Sequence, residues 1–245
     1  MTTGITESGT FYIYNKKNQS TPMVFIHGVG LTYEIWQPQL DFFKNCTYLS
    51  YDILGHGKSS LKKDKISFDD FSNQLIDLLD ELNINKIHLI GFSIGSLIAR
   101  NFATKFNDRL KSLILLGSIY KRSEEQQKIV SSRFDQAKKE LKLSRQALKR
   151  WFTDKYLEKN TETYEKISLI LSSNNMSNFL KVYELFVKHK NDEDFEKIKV
   201  NTLIMTGEND VGSTVKMSEE LNKIIKNSEI KIIKGGKHLC GIECA

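Results

Sequence analysis

The sequence predicts an α/β protein, a mostly parallel, doubly wound sheet with one helical insertion. Three observations predict it. Short apolar runs recur along the chain, several unbroken by polar residues, as strands buried on both faces of a parallel sheet are. Amphipathic stretches with helical spacing lie between them. The alternation lapses between residues 120 and 197, where charged helical patterns take over, and then resumes. The chain therefore divides into a core of residues 1–119 and 198–245 and a helical insertion of residues 120–197.

In chain order the strand-like runs are "TFYIYN", "MVFIHG", "TYLSYD", "KIHLIG", "SLILLG", "NTLIMTG" and "EIKIIKG". The clearest helix covers 68–82, with Phe68, Phe71, Leu75, Leu78, Leu79 and Leu82 on one face. Ser67 and Asp70 have the spacing of an N-terminal capping pair for it. A second helix follows "KIHLIG", with an apolar stripe at Leu97, Ile98 and Phe102.

Composition narrows the function. Hydrophobic residues make up 40% of the 245 and charged residues 27%, ordinary for a soluble globular protein. No apolar run approaches the ~20 residues of a membrane span. The opening "MTTGITESGT" lacks the basic and apolar regions of a secretory leader, so a cytoplasmic protein without a membrane partner is expected. The net charge is +6, and residues 128–150 alone hold eight Lys or Arg against two acids. That stretch reads as a solvated helix face. It lacks the interleaved aromatics that stack on single strands, so no nucleic-acid partner is expected.

Cys46, Cys240 and Cys244 make no disulfide framework. His238, Cys240 and Cys244 lie close together, but a structural zinc needs a fourth ligand, so no metal site is expected. "GHGKSS" ends like a phosphate-binding loop, yet Asp52 stands where its first glycine belongs. No cofactor is expected.

The stretch "LIGFSIGSLIARNFA" places Ser93 between Gly91 and Gly95 at a strand-to-helix turn. Such a turn crowds the backbone, and glycine on each flank relieves the crowding. A serine hydroxyl needs a base to take its proton and an acid to orient that base. After the insertion, "LIMTGEND" ends a strand with Asp210, and "IKIIKGGKH" ends the next with His238. The order Ser93, Asp210, His238 is that of a strand-elbow serine hydrolase. Glu208 is the rival acid, and its position relative to Gly207 favours Asp210. Backbone amides of Ile94 and of Val29, in "FIHGVG", are placed to form an oxyanion hole.

With these pieces in view, the chain resembles the α/β-hydrolase superfamily over essentially its whole length. Within it, "HGVGLTYEIWQPQL", "YDILGHGKSS" and "GFSIGSLIARNFA" are similar to the 3-oxoadipate enol-lactonase and small-ester branch. The resemblance implies an α/β-hydrolase fold in which residues 120–197 cap the pocket. It also implies that Ser93 is the nucleophile, His238 the base and Asp210 the orienting acid. The expected activity is cofactor-free hydrolysis of a small ester or lactone. Carbon–carbon hydrolysis of a diketone, or a ligand-binding receptor on the same fold, are the alternatives.

Further expectations concern the surroundings. Val29, Phe92, Ile94 and Tyr120 are expected on the pocket wall, which is read as apolar, with Lys121 and Arg122 near its mouth. His27 and His56 brace glycine loops, His88 packs in a strand, and His189 is solvated among charges. The chain ends seven residues after His238, where the family carries a closing helix. Either the natural sequence is expected to continue, or a second copy covers that face in a homo-oligomer.

Overall fold

The computed structural model describes residues 1–17, 20–140 and 146–245. Eight strands form one sheet: β1 (Thr2–Ile5), β2 (Phe11–Asn15), β3 (Met23–Ile26), β4 (Tyr48–Tyr51), β5 (Ile87–Phe92), β6 (Leu110–Leu116), β7 (Thr202–Gly207) and β8 (Ser228–Ile233). Their spatial order is β1-β2-β4-β3-β5-β6-β7-β8. β2 runs antiparallel to both its neighbours, β1 and β4, and every other pair is parallel. β1 has no counterpart among the strand-like runs. Its residues "TTGI" are polar and almost wholly exposed, so no hydrophobic periodicity marks them.

Between the strands lie α1 (Gln37–Phe42), α2 (Phe68–Glu81) and α3 (Ile94–Lys105). The insertion between β6 and β7 carries α4 (Glu124–Glu140), α5 (Gln146–Trp151), α6 (Asp154–Lys159), α7 (Thr161–Ser172) and α8 (Met176–Val187). α9 (Val215–Ile224) and α10 (Cys240–Glu243) complete the core. α2 starts with a capping box, in which Ser67 and Asp70 satisfy each other's backbone amides. No helix among the described residues is long and apolar enough to cross a membrane.

Alternating strand residues feed two apolar layers. Val24 and Ile26 join Leu75, Leu79, Leu97 and Phe102 on one face of the sheet. Phe25 joins Trp36, Phe92, Leu148, Phe152 and Leu171 on the other, which ties α5 and α7 to the sheet. Each such side chain removed from water contributes about 1.5–3 kcal/mol.

The two ends of the insertion are clamped by one fully buried cation. Arg100 on α3 donates to the Ile119 carbonyl at 2.7 Å and pairs with Glu193 at 2.6 Å. His189 Nε2 lies 3.3 Å from the same carboxylate, and its side chain is only 4% exposed. The expectation of a solvated His189 is thus corrected: it is buried against Glu193, four residues on, whose other partner, Arg100, comes from α3, far away in sequence. Burial alone would raise the Glu193 carboxyl, but the bond from His189 and the charge of Arg100 reverse this and hold it at about 2. His88 is half-buried and bonded to Ser112 at 2.8 Å.

Candidate active site

β3 and β5 are neighbours in the sheet although β4 separates them in sequence, so a crevice opens beyond their carboxyl ends. Ser93 stands there, between β5 and α3, with φ +56° and ψ −119°. A non-glycine residue pays roughly 1–3 kcal/mol for such a conformation. The surroundings enforce it. A Cβ on Gly95 would come within 2.5 Å of the Ile26 carbonyl oxygen, and one on Gly91 would meet the Gly95 carbonyl. Backbone passes so close to backbone here that neither glycine has room for a methyl group.

His238 follows β8 and points both ring nitrogens at partners. Its Nε2 is 3.2 Å from Ser93 Oγ and its Nδ1 is 2.7 Å from Asp210 Oδ2. The Asp210 side chain is 2% exposed, and its second oxygen accepts from the Gly212 and Ser213 amides at 2.8 and 3.0 Å. Burial pushes this carboxyl up, but the His238 charge and bond, with the two amides, outweigh it, and the net shift is downward. Asp210 is therefore held as a carboxylate facing an imidazole. Glu208 sits elsewhere: it accepts from the exposed Gly235 amide at 2.8 Å.

The loop after β3 lies against the elbow. A Cβ on Gly28 would sit 3.3 Å from Ser93 Cβ. Val29 follows on the cavity wall, and Ile94 opens α3 with its amide in the unsatisfied first turn. Two side chains pin the next residue, Gly30. Its amide donates to His56 Nε2 at 2.8 Å, and its carbonyl accepts from Asn174 of the insertion at 2.9 Å. His56 can accept because burial pushes its pKa down to about 4, which keeps it neutral. His27 is pushed to about 3 by burial and then by His56, and its Nε2 accepts from the Ile53 amide at 3.0 Å.

Ser93, Val29, Asp210 and His238 open into a cavity of about 480 Å³, a size suited to a small molecule. Three of the four expected wall residues are not on it. Phe92 is 2% exposed and packs against the imidazole, 4.9 Å from His238 between ring centroids, within the apolar layer of Phe25 and Trp36. Tyr120 is 6% exposed and turns into the core against Phe195. Ile94 is fully buried, its side chain in the core with Leu97 and Ile98. Lys121 lies over the Tyr120 ring, off the wall.

The wall is also less apolar than expected. Arg122, Arg133 and Arg150 face the cavity beside Ile119, Ile129 and Trp151. The basic stretch 128–150 is therefore not simply a solvated face, although its residues 141–145 lie outside the described residues.

Sequence reasoning missed the grip of the insertion on the histidine loop. The Leu239 amide donates to the Trp151 carbonyl at 2.9 Å, and Lys237 Nζ donates to the Lys149 carbonyl at 2.9 Å. Glu243 accepts from the Thr153 amide at 3.0 Å and from the Thr153 hydroxyl. These contacts span about ninety residues of sequence and leave no local signal.

The chain belongs to the α/β-hydrolase fold family, whose model matches residues 21–243. It is similar to the (E)-2-((N-methylformamido)methylene)succinate hydrolase of Acinetobacter baylyi, with 28% identity over 94% of this chain and 88% of that protein. It also resembles 3-oxoadipate enol-lactonase 2 of the same organism, with 24% identity over 90% of this chain and 83% of that one. The enol-lactonase structure from Burkholderia xenovorans LB400 superposes with a TM-score of 0.87 and 22% identity, covering 96% of this chain and 92% of that one, and shows the shared fold.

Proposed function

We propose that the protein is a serine hydrolase that cleaves a small carboxylic ester or lactone through an acyl-enzyme on Ser93. The observation that carries this reading is the continuous chain of hydrogen-bond distances from Ser93 Oγ through His238 to Asp210, opening into the cavity. In this reading His238 Nε2 takes the hydroxyl proton as Oγ attacks the carbonyl carbon, and Asp210 stabilises the imidazolium through Nδ1. The amides of Val29 and Ile94 hold the negative oxygen of the tetrahedral intermediate. The intermediate collapses as His238 returns the proton to the leaving alkoxide. Water, activated by the same histidine, then releases the acid and restores Ser93. No cofactor enters. The named activity of the enol-lactonase relative supports a lactone among the substrates.

A fluorophosphonate probe, followed by a panel of acyl esters, lactones and diketones, tests this. The expected result is covalent label on Ser93 and turnover of an ester or lactone without added cofactor. Turnover confined to diketones would replace the reading with carbon–carbon hydrolysis. Folded protein that neither labels nor turns over would point to a receptor.

A further inference from the structure

The wall opposite Ser93 is built from the insertion, and its chemistry is not needed for acyl transfer. Arg122 follows β6, Arg133 lies on α4 and Arg150 on α5, yet all three reach one cavity. Arg122 is fixed in place: one terminal nitrogen donates to the Phe186 and Val187 carbonyls at 3.2 Å each, and the guanidinium lies 4.5 Å over the Phe186 ring. Its other terminal nitrogen is buried without a partner. Among the described residues none of the three arginines forms an ion pair with a carboxylate.

A charge withdrawn from water without a counter-charge is costly. Burial pushes Arg122 down to about 10, and Arg150 is lowered by burial and then by repulsion from Arg133. Tyr183, on the same wall, feels all three guanidiniums, so they converge around one place. Apart from Asp210, which is engaged with His238, Glu140 is the one carboxylate among the described lining residues. Among the described lining residues the three guanidiniums therefore outnumber this carboxylate by two.

We infer that this wall is a subsite for a dianionic group, so that the substrate carries two negative charges on the half that Ser93 does not attack. A single carboxylate would leave one positive charge uncompensated, and a neutral group would leave both. A phosphate monoester and a pair of carboxylates share the required chemistry, and guanidinium forks suit the oxygens of either. The inference deepens the proposed hydrolase, on which it rests for the identity of the ligand as substrate.

Binding to Ser93→Ala, read by calorimetry without turnover, tests the subsite separately from the chemistry. The probes are succinate and inorganic phosphate as dianions, butyrate as a monoanion and succinamide as a neutral control. One dianion is expected to bind at least about tenfold tighter than butyrate, and the preference should shrink as salt screens it. Stronger phosphate binding assigns the phosphate monoester, and stronger succinate binding assigns the dicarboxylate. Arg133→Gln and Arg150→Gln, added singly, should each reduce the preference by about tenfold. Should either fail to fold, Arg133→Lys or Arg150→Lys keeps the charge without the fork, and a partial loss is expected. Butyrate or succinamide binding as tightly as both dianions would overturn the inference. So would folded arginine variants with an undiminished preference. Should wild-type protein fail to take the fluorophosphonate label while dianions still bind Ser93→Ala, the nucleophile reading falls and the subsite stands.

Discussion

The floor of the cavity, residues 91–95, is held by backbone packed against backbone, with no space for a methyl group on Gly91 or Gly95. The wall above it, from Arg122 to Arg150, is held by long side chains that leave charge uncompensated. The difference separates two jobs. A floor built this way admits only glycine at positions 91 and 95 and fixes a hydroxyl in space. A wall built of side chains on an insertion can change its ligand without disturbing that hydroxyl.

Substitutions in and around the floor test this division of labour. The largest effect belongs to the floor: Ser93→Ala and His238→Ala should each lower kcat/KM on an ester by on the order of 10⁶-fold, as in related triads, with the thermal midpoint little changed. Asp210→Asn comes next, about 10⁴-fold, because the wrong histidine tautomer is then held. Glu208→Gln in the same assay should stay within about threefold, since that carboxylate meets only an exposed loop amide. A worse loss at Glu208 than at Asp210 would assign the acid wrongly.

Gly95→Ala acts on stability. The added methyl group meets the Ile26 and His27 carbonyls, so a cost of about 3 kcal/mol in urea unfolding is expected, the upper end for overpacking. An unchanged midpoint would mean that the elbow yields more easily than its contacts imply.

The smallest effect is a slope with pH. Below the ordinary histidine value of 6.5 the unfolded chain takes protons on His27 and His56, while the folded chain, at about 3 and 4, does not. Their depressed values therefore cost stability as pH falls. Asp52 opposes this, since burial raises it to about 6 and the folded chain takes its proton first. Two groups against one leave a net loss of about 1.4 kcal/mol per unit between pH 6 and 4. Urea midpoints at pH 7, 6 and 5 measure it, and a flat profile would show that the histidines titrate normally.

The same contrast explains what could be read in advance. Gly91, Ser93 and Gly95 are close in sequence, and Asp210 and His238 end consecutive strands, so the floor leaves a local pattern. Arg122, Arg133 and Arg150 fall on three different segments, and which way each points depends on how α4 and α5 pack. Nothing in their spacing encodes that. Phe92 failed as a wall residue for a related reason: a continuously apolar strand does not announce which face its last residue takes. His189 looked solvated because Arg100, which fixes Glu193 beside it, is remote in the chain.

The bond from Leu239 to Trp151, with Glu243 gripping Thr153, ties the imidazole's loop to the insertion as one mechanical body. A displacement of α5 would therefore pull on the loop that sets the distance from His238 to Ser93, so the shape of the cavity wall and the reach of the imidazole are adjusted together.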